Sequence, residues 1–358
     1  MYPGGNTRYG FYSLYDHMVL PRVKRKIILK GGPGVGKSTF MKKVGVFFAE
    51  KGFDIEYHWC SSDDNSLDGI VIGDHQVCIL DGTAPHVVDP IWPGAVDEII
   101  NLGEYWDREQ LTSARDTVIK LTRNIGRYFD LAYRRLQESG IAYDELKSYN
   151  SRSIDEKALS RNIQALASDF LGSETSSFEK TRHLFPGAIT PSGLNTKIES
   201  LIPEDASLFA VKGSPGSGLK KLFKYVEGIL ELAGIYAEIF HNPFDPSEID
   251  LIILPASRKA LLDTSSNIFA YENRLQAPKY RRILDFDKFL DPLEIDIYAK
   301  TIAQSRDRME DGIRDAVYFI ESAKKAHDEL ELYYIPAMDF EAINTRREKL
   351  QEELLQEL

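Results

Sequence analysis

Two kinds of apolar pattern alternate along the chain. Lys26-Ile-Ile-Leu-Lys30 and Gln76-Val-Cys-Ile-Leu-Asp81 are short apolar runs that close on turn residues, and each predicts a buried strand. Other stretches place apolar residues three, four or seven apart. Between Pro292 and Pro336 almost nothing breaks a helix, and Tyr298, Ile302, Met309, Ile313, Val317, Ile320 and Leu330 fall on one stripe. Leu111, Ala114, Val118, Leu121, Ile125 and Leu136 repeat that spacing earlier in the chain. Such stripes predict core-facing helices beside strand-rich layers, an α/β architecture.

The pattern is written twice. Tyr2 to Phe11 matches Phe185 to Leu194, Ile27 to Gly36 matches Leu208 to Gly218, and His58 matches His241. Ile79-Leu-Asp81 matches Leu261-Leu-Asp263, and Ala142 to Tyr149 matches Ala326 to Tyr333, all at offsets of 182 to 184. Five matches in one order at nearly constant spacing predict a duplication. The chain therefore divides near Leu184 into segments 1–184 and 185–358, with helical extensions over about 104–184 and about 292–358. Each half is expected to be a parallel sheet flanked by helices.

The strand ending at Lys30 runs into Gly31, Gly32, Pro33, Gly34, Val35, Gly36, Lys37, Ser38 and Thr39, followed by a helical pattern. This is G-x-x-x-x-G-K-[ST] between strand and helix, the P-loop of a nucleotide-binding domain. Its glycines let backbone N–H groups converge on a polyphosphate, and the helix N-terminus adds positive potential. Lys37 is expected at the β and γ phosphates of ATP, Ser38 on Mg²⁺ and Thr39 near the α phosphate. Asp81 ends an apolar strand downstream and is expected to hold Mg²⁺ with Ser38. Gly82 follows it, where many ATPases carry a catalytic Glu, so a water-activating base must lie elsewhere. His58 and Asp63, in His58-Trp-Cys-Ser-Ser-Asp-Asp-Asn-Ser-Leu-Asp-Gly69, are expected to face the γ phosphate. Thr83, His86 and Asp89 are candidate contacts of a switch loop.

In the second half the loop reads Gly213-Ser-Pro-Gly-Ser-Gly-Leu-Lys-Lys221, so Leu219 replaces Lys37 and Lys220 replaces Ser38. That copy is expected to scaffold or regulate the first. Arg281 and Arg282 read as surface charge, and Tyr9, Phe11 and Tyr12 as core aromatics.

Composition narrows the classes. Forty-four Lys and Arg against fifty-five Asp and Glu give a net charge of -11, the wrong sign for wrapping nucleic acid. Two cysteines build no disulfide framework, and no C-x-x-C spacing points to zinc. No apolar run is long enough to span a bilayer and no leader pattern opens the chain, so a cytoplasmic protein is expected.

Pro3-Gly-Gly-Asn-Thr7, the glycine loop, His58 to Gly69, Leu80-Asp-Gly-Thr-Ala-Pro-His-Val-Val-Asp-Pro90 and Pro93 to Gly103 together resemble an uncharacterised bacterial family of tandem P-loop ATPases, found mainly in Firmicutes. The resemblance covers essentially the whole chain and implies ATP binding in a bacterial cytosol. Leu-Asp-Gly followed by Pro85 is also similar to an element of adenylate kinases, with His86 where those enzymes have Arg. Three readings stay open: an ATPase with one competent site, a kinase for a small molecule or nucleotide, and a nucleotide-gated module that meets a protein partner through its helical extensions.

Overall fold

A computed structural model describes residues 1–84, 87–177, 179–265, 267–275 and 280–358. Gly4–Thr7 (β1) and Gly10–Ser13 (β2) form a hairpin. There follow Arg25–Lys30 (β3), Lys37–Ala49 (α1), Ile55–Trp59 (β4), Leu67–Ile72 (β5), Val77–Asp81 (β6) and Asp97–Asn101 (β7). Three helices come next: Arg108–Ser113 (α2), Arg115–Arg152 (α3) and Glu156–Leu171 (α4). Arg182–Leu184 (β8), Gly187–Thr190 (β9), Gly193–Thr196 (β10), Ile198–Leu201 (α5), Ser207–Lys212 (β11) and Leu219–Ala233 (α6) continue the chain. Glu238–His241 (β12), Ile249–Leu254 (β13), Lys259–Asp263 (β14), Tyr280–Asp285 (β15), Pro292–Tyr334 (α7) and Phe340–Glu357 (α8) complete it.

The chain forms two compact units, and neither is a continuous half. The first comprises Tyr2–Gly4, Ser13–Leu131 and Tyr318–Leu358; the second comprises Met1, Gly5–Tyr12 and Ala132–Val317. The sequence division near Leu184 therefore differs from the division by contacts, whose boundaries fall inside α3 and α7. The helices of the first extension also stop at Leu171, and Arg182–Leu184 joins a sheet instead.

The first unit holds a five-stranded sheet in the order β4-β5-β6-β3-β7. β3 is parallel to β6 and β7, whereas β5 is antiparallel to both of its neighbours. The expectation of a parallel sheet is corrected here: the sheet is mixed. Seven residues between Trp59 and Leu67 are too few for a crossover, which needs a dozen or more, so β5 must return alongside β4. The turn from β5 to β6 is tight, with positive φ at Gly73, Asp74 and His75. One face of this sheet packs on α1 and α8 through Ile27, Ile70, Ile79, Val44, Phe48, Leu350 and Leu354. Leu14, Tyr15, Met18, Leu20 and Val23 are buried in the segment that precedes β3.

The second unit has a sheet in the order β15-β11-β14-β13-β12-β8, with β11 parallel to β14 and β15 and β13 antiparallel to β12 and β14. Apart from β8, its connections and directions repeat those of the first sheet. Both β4 and β12 shift register against their partner at their C-terminal end, between His58 and Trp59 and between Phe240 and His241. Its core joins β11 and β13 to α4 and α6, and Asp155 caps α4 by accepting the N–H groups of Lys157 and Ala158. Arg281 and Arg282 pair with Asp169, as surface charges do. Tyr9 and Tyr12, expected in the core, are 58% and 39% exposed: Tyr9 lies in the turn before β2, and Tyr12 on the part of β2 that faces solvent. Among the described residues no helix is long and apolar enough to cross a membrane.

Candidate functional site

The glycine loop joins β3 to α1 in the first unit. Gly31, Gly34 and Gly36 have φ of +149°, +68° and +89°, a region that residues with a Cβ rarely enter, which is why glycine recurs at these positions. Gly36 caps α1 by backbone alone, so the helix starts at Lys37 with its N–H groups turned toward the loop. The loop is also covered closely. A Cβ added at Gly32 would lie 2.7 Å from the Tyr334 ring, one at Gly34 would lie 3.2 Å from Ile335, and one at Gly36 would lie 3.4 Å from Phe340.

A cleft of about 490 Å³ opens beside the loop. The whole run from Pro33 to Thr39 borders it, as do Asp63, Asp68 and Asp81, and the cations Lys42 and Lys324. Lys37 Nζ donates to the carbonyls of Gly31 and Gly32, each at 2.9 Å, and lies 3.6 Å from Asp81 Oδ2. Asp81 Oδ1 accepts the Thr83 N–H at 2.8 Å and the Thr83 hydroxyl as well. Ser38 Oγ accepts the Leu67 N–H at 3.0 Å, which holds it at the start of β5. Lys37, Ser38 and Asp81 thus all border one cleft.

The other predicted contacts separate. Asp63 does reach the cleft, where Oδ1 accepts the Asn65 N–H at 3.0 Å and Oδ2 lies 3.4 Å from Lys324 Nζ. His58 does not border it. On β4 it pairs with Gly69, so its side chain points to the sheet face opposite α1, fully buried with Nε2 3.4 Å from Glu56. Its neighbours Tyr57 and Trp59 take the α1 face instead. The expectation that His58 faces the γ phosphate is therefore corrected by strand alternation. Asp89 is drawn away to Lys30 Nζ at 3.1 Å, and His86 lies outside the described residues.

Sequence reasoning passed over Asp68. Asp68 precedes Gly69, which pairs with Leu80 across antiparallel strands, and it borders the cleft together with Asp81. It is the residue skipped where the pairing of β4 with β5 steps from Gly69 to Leu67, and is 3% exposed. The match of Asp68 to Asp250 at the repeat offset was a signal available in the sequence. Burial and the nearby Asp68 carboxylate push the Cys60 thiol well up, so this cleft residue stays a thiol. On α7, burial pulls the His327 imidazole below its ordinary value.

The second unit has its own cavity of about 420 Å³ beside Ser214 to Lys221. Leu219 supplies no ammonium, and the Asp287 carboxylate already accepts the Ser214 N–H at 2.6 Å and the Ser214 hydroxyl at 3.0 Å. By the repeat offset the counterpart of Asp287 is Gly103, which has no side chain to bring to the first loop. Asn150 donates to the Pro215 carbonyl at 2.7 Å, and the Lys147 backbone lies against Gly216. Burial raises Asp250 to about 8 and Asp263 to about 7, the charge of Asp263 adding to the shift at Asp250. The Tyr271 hydroxyl donates to Asp250 at 2.6 Å.

In comparisons with known proteins the chain matches no family model, no curated protein and no solved structure.

Proposed function

We propose that the first unit is a P-loop domain that binds Mg²⁺ and ATP in the cleft beside Gly31 to Thr39 and hydrolyses the nucleotide, and that the second unit is a degenerate copy arising from a tandem duplication. The observation that carries this reading is the meeting of Lys37, Ser38, Asp81 and Asp68 around one glycine loop whose positive φ angles turn its backbone toward the cleft. Gly31, Gly32, Pro33, Gly34, Val35 and Gly36 cradle the phosphates, Lys37 neutralises them and Thr39 stands at the α phosphate. The donor set fits a small hard cation: a hydroxyl oxygen from Ser38 and a carboxylate from Asp81, both at the cleft. Bound there, Mg²⁺ supplies charge stabilisation to the transferring phosphoryl group.

In this reading Asp68, which borders the cleft, takes a proton from the attacking water, a role for which Gly82 has no side chain. Asp63 serves the cleft through Lys324 and not as base. A second reading, a nucleotide-gated module with little turnover, draws support from the tight cover of Tyr334, Ile335 and Phe340 over the loop. The resemblance stated above supports a bacterial cytosolic setting for either.

The test is a titration with Mg·ATP followed by tracing of γ-labelled ATP. Saturable binding with label released as free phosphate is expected of an ATPase. Label in a metabolite moves the assignment to a kinase, binding without release moves it to the gated module, and no binding refutes the site.

A further inference from the structure

The cleft has a cation that does not come from the sheet or the glycine loop. Lys324 lies on the part of α7 that belongs to the first unit and borders the cleft with Lys37 and Lys42. Its ammonium sits between two carboxylates, 3.4 Å from Asp63 Oδ2 and bonded to Asp328 one helical turn further on. Burial works against this charge, but the bond to Asp328 and the field of Asp63 outweigh it and hold the pKa up. Two anions thus share one cation at the mouth of a cleft suited to phosphate.

The second unit contains the same cradle with a different occupant. Asp245 and Asp144, the counterparts of Asp63 and Asp328 at offsets of 182 and 184, hold Arg8. Arg8 Nη1 donates to Asp144 at 2.9 Å and to Asp245 at 3.1 Å, and Nη2 also reaches Asp144. The counterpart of Lys324 is Gly140, and a Cβ there would lie 2.5 Å from Arg8 Nε, so the guanidinium fills the room a longer side chain would need. Lys147 adds a second cation, 3.1 Å from Asp144 and 3.6 Å from Asp245.

The two cradles differ in how readily they open. Arg8 is 9% exposed and Asp245 2%, and the guanidinium fork engages two carboxylates at once. Breaking such a buried pair strands a charge away from water. Lys324 and Asp63 are 24% and 26% exposed, and an ammonium is a point charge on a flexible stem that exchanges partners without a fixed fork. The same helix rests on the loop, with Glu331 against Gly34 and Tyr334 against Gly32, and Ile335, the residue after it, also meets Gly34. A change of partner at Lys324 is therefore felt where the phosphates lie.

We propose that Lys324 is the sensor of the terminal phosphate: it leaves Asp63 and Asp328 to meet the γ phosphate when ATP enters, and stays with the two carboxylates when ADP does. The proposal rests on the Mg·ATP reading of the cleft. The second cradle, closed by Arg8, is a fixed brace that has lost this exchange.

The test compares affinities for Mg·ATP and Mg·ADP, using fluorescent analogues of each, in wild type, Lys324→Ala and Lys324→Gln, with thermal melting to verify the fold. Loss of one charge-assisted contact predicts that the preference for ATP over ADP falls roughly tenfold or more while ADP affinity stays within about threefold. Asp63→Asn should move the other way and favour ATP, since it releases the ammonium. An unchanged ATP-to-ADP ratio in both folded Lys324 variants, with Mg·ATP still bound by wild type, overturns the proposal and leaves the site reading intact. Absence of Mg·ATP binding by wild type overturns both.

Discussion

Replacing Lys37 with Ala measures how much of nucleotide affinity the loop lysine supplies. The net effect is smaller than a bare charge pair would give, because Nζ already has partners: the Gly31 and Gly32 carbonyls at 2.9 Å and Asp81 at 3.6 Å. Binding exchanges two hydrogen bonds in which only the ammonium is charged for contacts in which both partners are charged. Bonds to a charged group contribute about 1.5–3 kcal/mol net, and doubly charged ones are shorter and stronger. The exchange is therefore worth about 2–3 kcal/mol, or about 30- to 150-fold in Kd. Without Mg²⁺ the loss should be larger, since Lys37→Ala leaves the Asp81 carboxylate facing the phosphates with one cation fewer. The assay is a titration of a fluorescent ATP analogue at constant ionic strength, with and without excess Mg²⁺, alongside thermal melting. A folded variant that binds within about threefold of wild type would show that Lys37 meets no phosphate, and the site would have to be sought elsewhere.

Three further outcomes follow from the geometry. Asp68→Asn should lower phosphate release by about 100-fold or more while nucleotide affinity stays within about threefold, the mark of a proton acceptor; unimpaired turnover would return Asp68 to a purely structural role. Asp250 near 8 and Asp263 near 7 keep protons that the unfolded chain releases at ordinary carboxylate values. Their contribution to stability is full below about pH 4 and is gone once the pH has risen through 7 and 8, so the melting temperature of the second unit should fall between about pH 4 and 8 and level off above. Asp250→Asn, which stays neutral, should flatten that fall, and parallel slopes for the two proteins would contradict the assignment. Leu219→Lys with Lys220→Ser should leave a single nucleotide per chain, because the Asp287 carboxylate still takes the Ser214 N–H; adding Asp287→Gly should raise the stoichiometry toward two. Two nucleotides bound by the double variant would show that Asp287 is no obstacle.

Much of the first glycine loop was legible because its determinants are local. Glycines at positive φ, a lysine and a hydroxyl at the start of α1, and an Asp closing the next parallel strand all declare themselves within short windows. The failure at His58 came from judging the strand end without its partner: only pairing with Gly69 tells which face the ring takes. The antiparallel course of β5 was recoverable, since Cys60 to Ser66 is too short for a crossover. Asp68 was likewise recoverable from its match to Asp250 at the repeat offset. Lys324, Ile335 and Phe340 were not, because an amphipathic stripe states that a helix has a buried side without naming the loop it will cover. The same holds for Asp287, whose grip on Ser214 depends on contacts distant in sequence.

The core beneath α1 draws Ile343, Leu350 and Leu354 from the far end of the chain. During translation the segment up to Leu131 leaves the ribosome first and must wait for Tyr318 to Leu358, an interval of roughly 10–40 s at elongation rates of about 5–20 residues per second. Throughout that interval the apolar side of α1 is bare of its helical cover. A nascent chain of this kind is a natural client for chaperones, and a stop codon anywhere before α8 should yield an aggregating product with no usable cleft.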